Sequence, residues 1–275
     1  MEEKGEAGRN GPEGDIAARD GAPPPGTSSP APGFPGFAAP HGAGIPARLL
    51  PRPTGAPEHP LLEAGLLFAA FWLVAYLPAD PALAGASFGE AATQLAILVQ
   101  ILPKALFTLY FIARAEGLAA FGLRTFALVD APRALAVALG TLGIVMVPGL
   151  LSAAFGAGLT NPLLDAAQAA ERPSLLLLPL VVLASLAVGY GEELFFRVYL
   201  IRRLRQAGLA PAWAALASAL VFGSAHGIQG ALGLALGSLL GAYFAWRWLR
   251  RGNFHEIALG HALYDVSVIV LSLYA

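Results

Sequence analysis

The chain has 275 residues, of which 56% are hydrophobic and 13% charged, with a formal net charge of −1 and a mean hydropathy of +0.63. Soluble domains carry about 25% charged residues, so this composition calls for lipid as its solvent, and the near-zero net charge excludes the basic surface that nucleic acid requires. The absence of cysteine excludes a disulfide framework, a thiolate metal site and a cysteine nucleophile.

Residues 1–58 are rich in Pro, Gly, Ala and Glu, as in Ala22-Pro23-Pro24-Pro25-Gly26, and have no apolar periodicity. Such a stretch buries too little surface to offset its ordering entropy and reads as a disordered cytoplasmic tail. It has no basic start followed by an apolar run and a small-residue cleavage site, so it is not a signal peptide. Residues 59–275 form the second unit, an all-α bundle embedded in the membrane.

A membrane span needs about 20 mostly apolar residues. Seven runs meet or approach that length: Leu61–Leu77, Ala91–Ala113, Ala134–Phe155, Ser174–Leu204, Ala210–Ala225, Ala231–Trp248 and Ile257–Tyr274. The fifth is short. Pro103 and Pro148 lie inside apolar runs and predict kinks that packed neighbours tolerate. Arginines alternate with the spans. Arg48 and Arg52 precede the first, and Arg114, Arg124 and Arg133 follow the second. Arg202, Arg203 and Arg205 follow the fourth, and Arg247, Arg250 and Arg251 the sixth. The other connections hold only Arg172. Every second connection is therefore basic, which places the N-terminus in the cytoplasm and the C-terminus outside. The abundance of Ala, Leu, Arg and Gly suggests a GC-rich bacterial source and a multi-pass protein of the cell membrane.

Ionisable residues within lipid depth are functional candidates, because a charge in the bilayer core costs roughly 2.5–3.5 kcal/mol on insertion scales. The first three spans carry few, Lys104 being the exception. The fourth holds Gly191-Glu192-Glu193-Leu194-Phe195-Phe196-Arg197. Glu193 and Arg197 are four apart and share a helix face, so they pair. Glu192 points about 100° away and lacks that partner. A free, desolvated carboxylate suits a general base; a structural ion pair beside a snorkelling Glu explains the same heptapeptide. The fifth span ends Phe222-Gly223-Ser224-Ala225-His226-Gly227. The seventh begins with Asn253 as helix cap and Glu256 three residues on, places His255 at the interface, and carries His261 and Asp265 four apart on one face.

In order these are Glu-Glu-x-x-x-Arg, Phe-x-x-x-His and His-x-x-x-Asp, each on its own apolar helix. Residues 174–272 thereby resemble the CPBP family of CAAX proteases and bacteriocin-processing enzymes, also called Abi. The resemblance implies a membrane-embedded endopeptidase with a water-accessible cavity and a membrane-associated protein or peptide as substrate. By that likeness Glu192 and His226 activate water, His261 and Asp265 stabilise the oxyanion, and Glu193 and Arg197 support the site. Asp265 stands where the family commonly has Asn; an ionised Asp repels an oxyanion, so it serves only if protonated or by orienting a donating His261. No cofactor is expected. If zinc is present, Glu192, His226 and His261 are its ligands, but no His-Glu-x-x-His places two ligands on one helix face.

The site must also close in depth. At ~1.5 Å per residue from the cytoplasmic ends, Glu192 lies about 18 Å deep, His261 about 15 Å and His226 about 24–30 Å. The fifth span must therefore start late, or tilt and end within the bilayer. Two other functions fit the polar cluster: a non-catalytic immunity or scaffold protein, and a proton-coupled transporter.

Overall fold

Five helices carry proline at their first or second position, where the missing N–H has no helical partner to lose and the fixed φ suits the helix. They are α1 (Pro60–Phe71), α2 (Pro81–Ala86), α5 (Pro162–Ala169), α6 (Leu178–Glu193) and α8 (Pro211–Ser224). The remaining helices are α3 (Ala91–Ala115), α4 (Asp130–Phe155), α7 (Ile201–Gln206), α9 (Gly230–Arg251) and α10 (Phe254–Tyr274). A π-helical segment, Leu194–Leu200, joins α6 to α7 without interruption. The computed structural model describes residues 54–77, 79–155 and 160–274, and among these every regular element is helical. Nearly all of the expected tail, residues 1–53, lies outside the described residues.

Seven apolar helices stand at the seven expected places. Five are long and apolar enough to cross a membrane: Ala91–Ala115, Asp130–Pro148, Leu175–Gln206, Gly227–Arg251 and Phe254–Tyr274. The other two, α1 and α8, are shorter, with 12 and 14 residues. The first expected span stops at Phe71 because buried Trp72 turns into the core, stacking on Phe195 at 5.0 Å and meeting Phe196 edge-on at 4.8 Å. The chain continues as a 3-10 turn, Leu73–Tyr76, tied down by the Tyr76 hydroxyl donating to the Val221 carbonyl. Pro103 and Pro148 lie inside α3 and α4. The short α2 and α5 were not expected as helices. The bundle's outer surface is apolar, with Leu66, Leu106, Leu139 and Leu220 all exposed, as a lipid-facing surface must be.

Small residues set how closely the helices approach, since lipid offers no hydrophobic drive for them to associate. Gly233, Gly237 and Gly241 recur every four residues along α9; Gly237 and Gly241 face α8, and Gly233 faces the turn at His226 and Gln229. A Cβ on Gly237 would stand 3.1 Å from the His226 ring, and one on Gly241 3.0 Å from Ala219. The π segment is buried along its whole length. A π turn leaves backbone carbonyls displaced from their usual donors, and here Ser218 of α8 donates to the Phe196 carbonyl at 2.6 Å.

At one end of the bundle a charged network clasps α1, α3 and α7. Arg203, fully buried, donates from Nε to Glu63 at 2.9 Å and from Nη1 to Glu116 at 3.0 Å. Tyr199 donates to Glu63 at 2.7 Å, Gln206 donates to Glu116 at 2.7 Å, and Arg202 pairs with Glu116. At the other helix ends, Asn253 caps α10 by accepting from the Glu256 N–H at 3.3 Å and also donates to Asp130. The Glu256 carboxylate pairs with Arg247.

Two outcomes follow from this packing. In Gly223→Ala the new Cβ would stand 2.5 Å from the Ser238 backbone nitrogen, so thermal unfolding in detergent should show a loss of about 1–3 kcal/mol. Gly143→Ala, where a Cβ meets open space, should show none. Burial pushes the Glu116 carboxyl up, but hydrogen bonds from Arg202 and Gln206 and the charges of Arg202 and Arg203 outweigh it and hold the group below its ordinary 4.5. Its contribution to stability is complete above pH 4.5 and declines as pH falls through the lowered folded value. Melting temperature followed from neutral to acid pH should therefore drop more steeply in the wild type than in Glu116→Gln.

Candidate active site

The six candidate residues come from α6 with its π extension (Glu192, Glu193, Arg197), the turn after α8 (His226) and α10 (His261, Asp265). Glu193 and Arg197 pair as their spacing requires, Nε to Oε2 at 3.1 Å, with both side chains fully buried. The guanidinium carbon lies 4.1 Å from the Phe222 ring centre, 5.5 Å from Phe244 and 5.8 Å from Phe196. Nη1 and Nη2 have no hydrogen-bond acceptor, so these aromatic faces supply the remaining attraction for the cation.

The other oxygen of Glu193 meets Nδ1 of His261 at 2.9 Å. A carboxylate only accepts, so Nδ1 carries the hydrogen. Nε2 is then the atom that faces Asp265 at 3.6 Å and Glu192 at 3.8 Å. The imidazole stacks on Phe244, with ring centres 5.0 Å apart. His261 is thus held in orientation by Glu193, as a working histidine requires a third group to do. Glu192 is one-fifth exposed, whereas Glu193 is sealed. Glu192 also acts electrostatically on Tyr76 and Lys104, and the Lys104 ammonium sits over the Trp72 ring at 4.8 Å.

His226 directs Nδ1 to the Phe222 carbonyl at 2.9 Å, which makes Nδ1 the donor and leaves Nε2 as the remaining acceptor. The fifth expected span does not start late: α8 begins at Pro211 and ends at Ser224, and the chain turns back through Gly227–Gln229 into α9. This brings His226, His261 and Asp265 to one cavity of ≈460 Å³ with mainly apolar walls. Glu192, Glu193 and Arg197 are not among its lining residues.

Besides Tyr264, four polar residues of the cavity wall went unread in the sequence: Gln94, Asn161, Ser185 and Gln229. For Ser185 a signal exists, since it precedes Glu192 by seven residues and shares its helix face. His255, expected at the interface, is half-buried and bridges the Tyr190 hydroxyl at 3.1 Å and the Arg124 carbonyl at 2.8 Å.

The zinc alternative needs three converging ligands. Among the described residues no group of three or more His, Asp or Glu side chains is placed to hold a metal ion. One ring nitrogen of each histidine is committed to Glu193 or to Phe222, which leaves Nε2 of each available.

The fold and this cluster define a polytopic helical membrane protein with an imidazole held among three carboxylates beside an apolar cavity. Residues 174–267 match the model of the family described as Rce1-like, type II CAAX prenyl endopeptidase. The match takes in all six candidate residues and leaves α1 to α5 outside it. No curated protein and no solved structure matches the chain.

The cluster yields a double-variant test. Glu193→Gln or Arg197→Met alone leaves a buried charge unpaired and should cost about 3–5 kcal/mol of stability. The two together should recover a large part of that loss. Unfolding midpoints of the four proteins, read at one detergent concentration, measure the coupling.

Proposed function

We propose that the chain is an intramembrane endopeptidase that hydrolyses a peptide bond of a membrane-associated protein or peptide, without a metal. The observation that carries this reading is the clamp of His261 by Glu193, which leaves Nε2 facing Glu192 and Asp265 at the wall of an apolar cavity. The family match of the same segment supports it.

In this mechanism the Glu192 carboxylate takes a proton from water, and the hydroxyl adds to the scissile carbonyl. Protonated His261 donates through Nε2 to the oxyanion that forms. Glu193 at Nδ1 orients that imidazole, and Asp265, 3.6 Å from Nε2 where the resembled family commonly has Asn, supplies a counter-charge to it. His226, with Nε2 as an acceptor, positions the attacking water. The tetrahedral intermediate collapses as the protonated Glu192 gives its proton to the leaving amine, so proton and bond counts balance. Glu193 and Arg197 touch no reacting atom and act through His261. The alternation of basic connections supports an N-terminus in the cytoplasm.

Glu192→Gln should abolish hydrolysis, by at least about 10²-fold, while the protein keeps its unfolding midpoint. Peptide termini of membrane proteins from cells with wild type and with Glu192→Gln, compared by mass spectrometry, provide the readout. New C-termini confined to the wild type support the proposal; identical termini overturn it. Chelation with phenanthroline should leave those termini unchanged.

A further inference from the structure

The cavity is not uniformly apolar. Gln94 in the first turns of α3 is fully buried, and its Nε2 donates to the Phe88 carbonyl at 2.9 Å, but its Oε1 has no hydrogen-bond partner. Ser185 of α6 is 2% exposed, and its Oγ has no partner either. Serines in apolar helices ordinarily return their hydroxyl to the carbonyl four residues back, as Ser238, Ser267 and Ser272 do here. Ser185 does not. Buried polar atoms without partners are rare and call for a reason.

The two orphans belong together. The contact of α3 with α6 puts Ile101 against Gly191. Gln94 stands seven residues before that contact on one helix and Ser185 six before it on the other. With a single long helix, α4, between them, α3 and α6 cross the bilayer in the same sense. Gln94 and Ser185 therefore reach one level of the cavity, with an acceptor on one wall and a hydroxyl donor on the other. A peptide main chain offers the matching N–H and C=O, and a hydrocarbon chain offers neither. The surrounding wall, including Ile97, Val188, Leu236 and Ile269, suits apolar side chains.

Resting on the proteolytic reading, we propose that this cavity binds an extended apolar segment of the substrate through its main chain. Gln94 Oε1 accepts a main-chain N–H, and Ser185 Oγ donates to a main-chain carbonyl. Ser185 lies two helical turns from Glu192, about 10 Å along the axis, a distance that an extended peptide covers in about three residues. The contact thus falls about three residues from the scissile bond. Gln94 and Ser185 are positioning residues, and Gln94 lies outside the family-matched segment.

The test measures binding, not turnover, and uses Glu192→Gln protein in lipid nanodiscs. The probes are a fluorescent peptide of alternating Leu and Ala, a set of its analogues with one amide at a time replaced by an ester, and oleic acid. The peptide should bind, and adding Ser185→Ala or Gln94→Leu should weaken it about tenfold each. One ester position should weaken binding similarly in the parent and add nothing in the Gln94→Leu background. The unfolding midpoint of Ser185→Ala should be unchanged or higher, because the substitution removes an unsatisfied group. Affinity unchanged in both variants, whether because a bridging water satisfies the two groups or because oleic acid displaces the peptide as readily, overturns the proposal. So does failure of the peptide to bind. Because no hydrolysis is read, a negative result here is distinct from a failure of the wild type to cleave.

Discussion

The arrangement of the second half of the chain depends on one buried cation. Arg197 is fully enclosed at membrane depth, where a charge without compensation is not tolerated. The sequence supplies that compensation from three helices. Glu193 comes from one turn back on its own helix, Phe222 from α8 and Phe244 from α9. Glu193 in turn takes hold of His261 on α10. A single guanidinium thereby fixes the relative position of every helix that carries a candidate residue. The same arrangement divides the labour of two adjacent carboxylates. Glu193 is committed to Arg197 and His261, while Glu192, one residue back and rotated away, keeps partial access to solvent.

Close helix approach is the second constraint, and it settles the placement of His226. A full-length fifth span would have carried that histidine past the level of His261. The α8 helix has only 14 residues, and it turns back into α9 across the glycine face Gly233, Gly237 and Gly241. Any side chain at Gly237 would meet the His226 ring, so the glycine determines where that ring sits. The geometry of the site is in this sense built from residues that have no chemistry of their own.

How much of this was legible in the sequence follows from the range of each interaction. The Glu193–Arg197 pair, the Asn253 cap and the shared face of His261 and Asp265 are local, at helical spacing of three or four residues, and periodicity reveals them. The positions of the apolar helices were legible for the same reason. The clamp of His261 by Glu193 joins residues 68 apart, and no spacing rule reaches that far. The π segment was equally hidden, since Leu194–Leu200 contains neither Gly nor Pro, and the hydroxyl that meets its Phe196 carbonyl comes from Ser218 on another helix. Arg203 read as one of a basic run at a membrane face. It is instead buried between Glu63 and Glu116, because two distant acids converge on it.

The cluster also has two sides. His226, His261 and Asp265 face the apolar cavity, whereas Glu192 stands off its wall, within electrostatic range of Lys104 and Tyr76 from the N-terminal helices. His261 is the shared boundary, with Nε2 between Asp265 on one hand and Glu192 on the other. Under the proteolytic reading a hydrolase in lipid must bring an apolar substrate and a polar water to the same atom. A one-sided cavity would require both to pass the same apolar wall. Here the partly exposed carboxylate and the apolar cavity approach the imidazole from different directions, so the helices outside the family-matched segment contribute to the surroundings of Glu192 as well as to the bulk of the bundle.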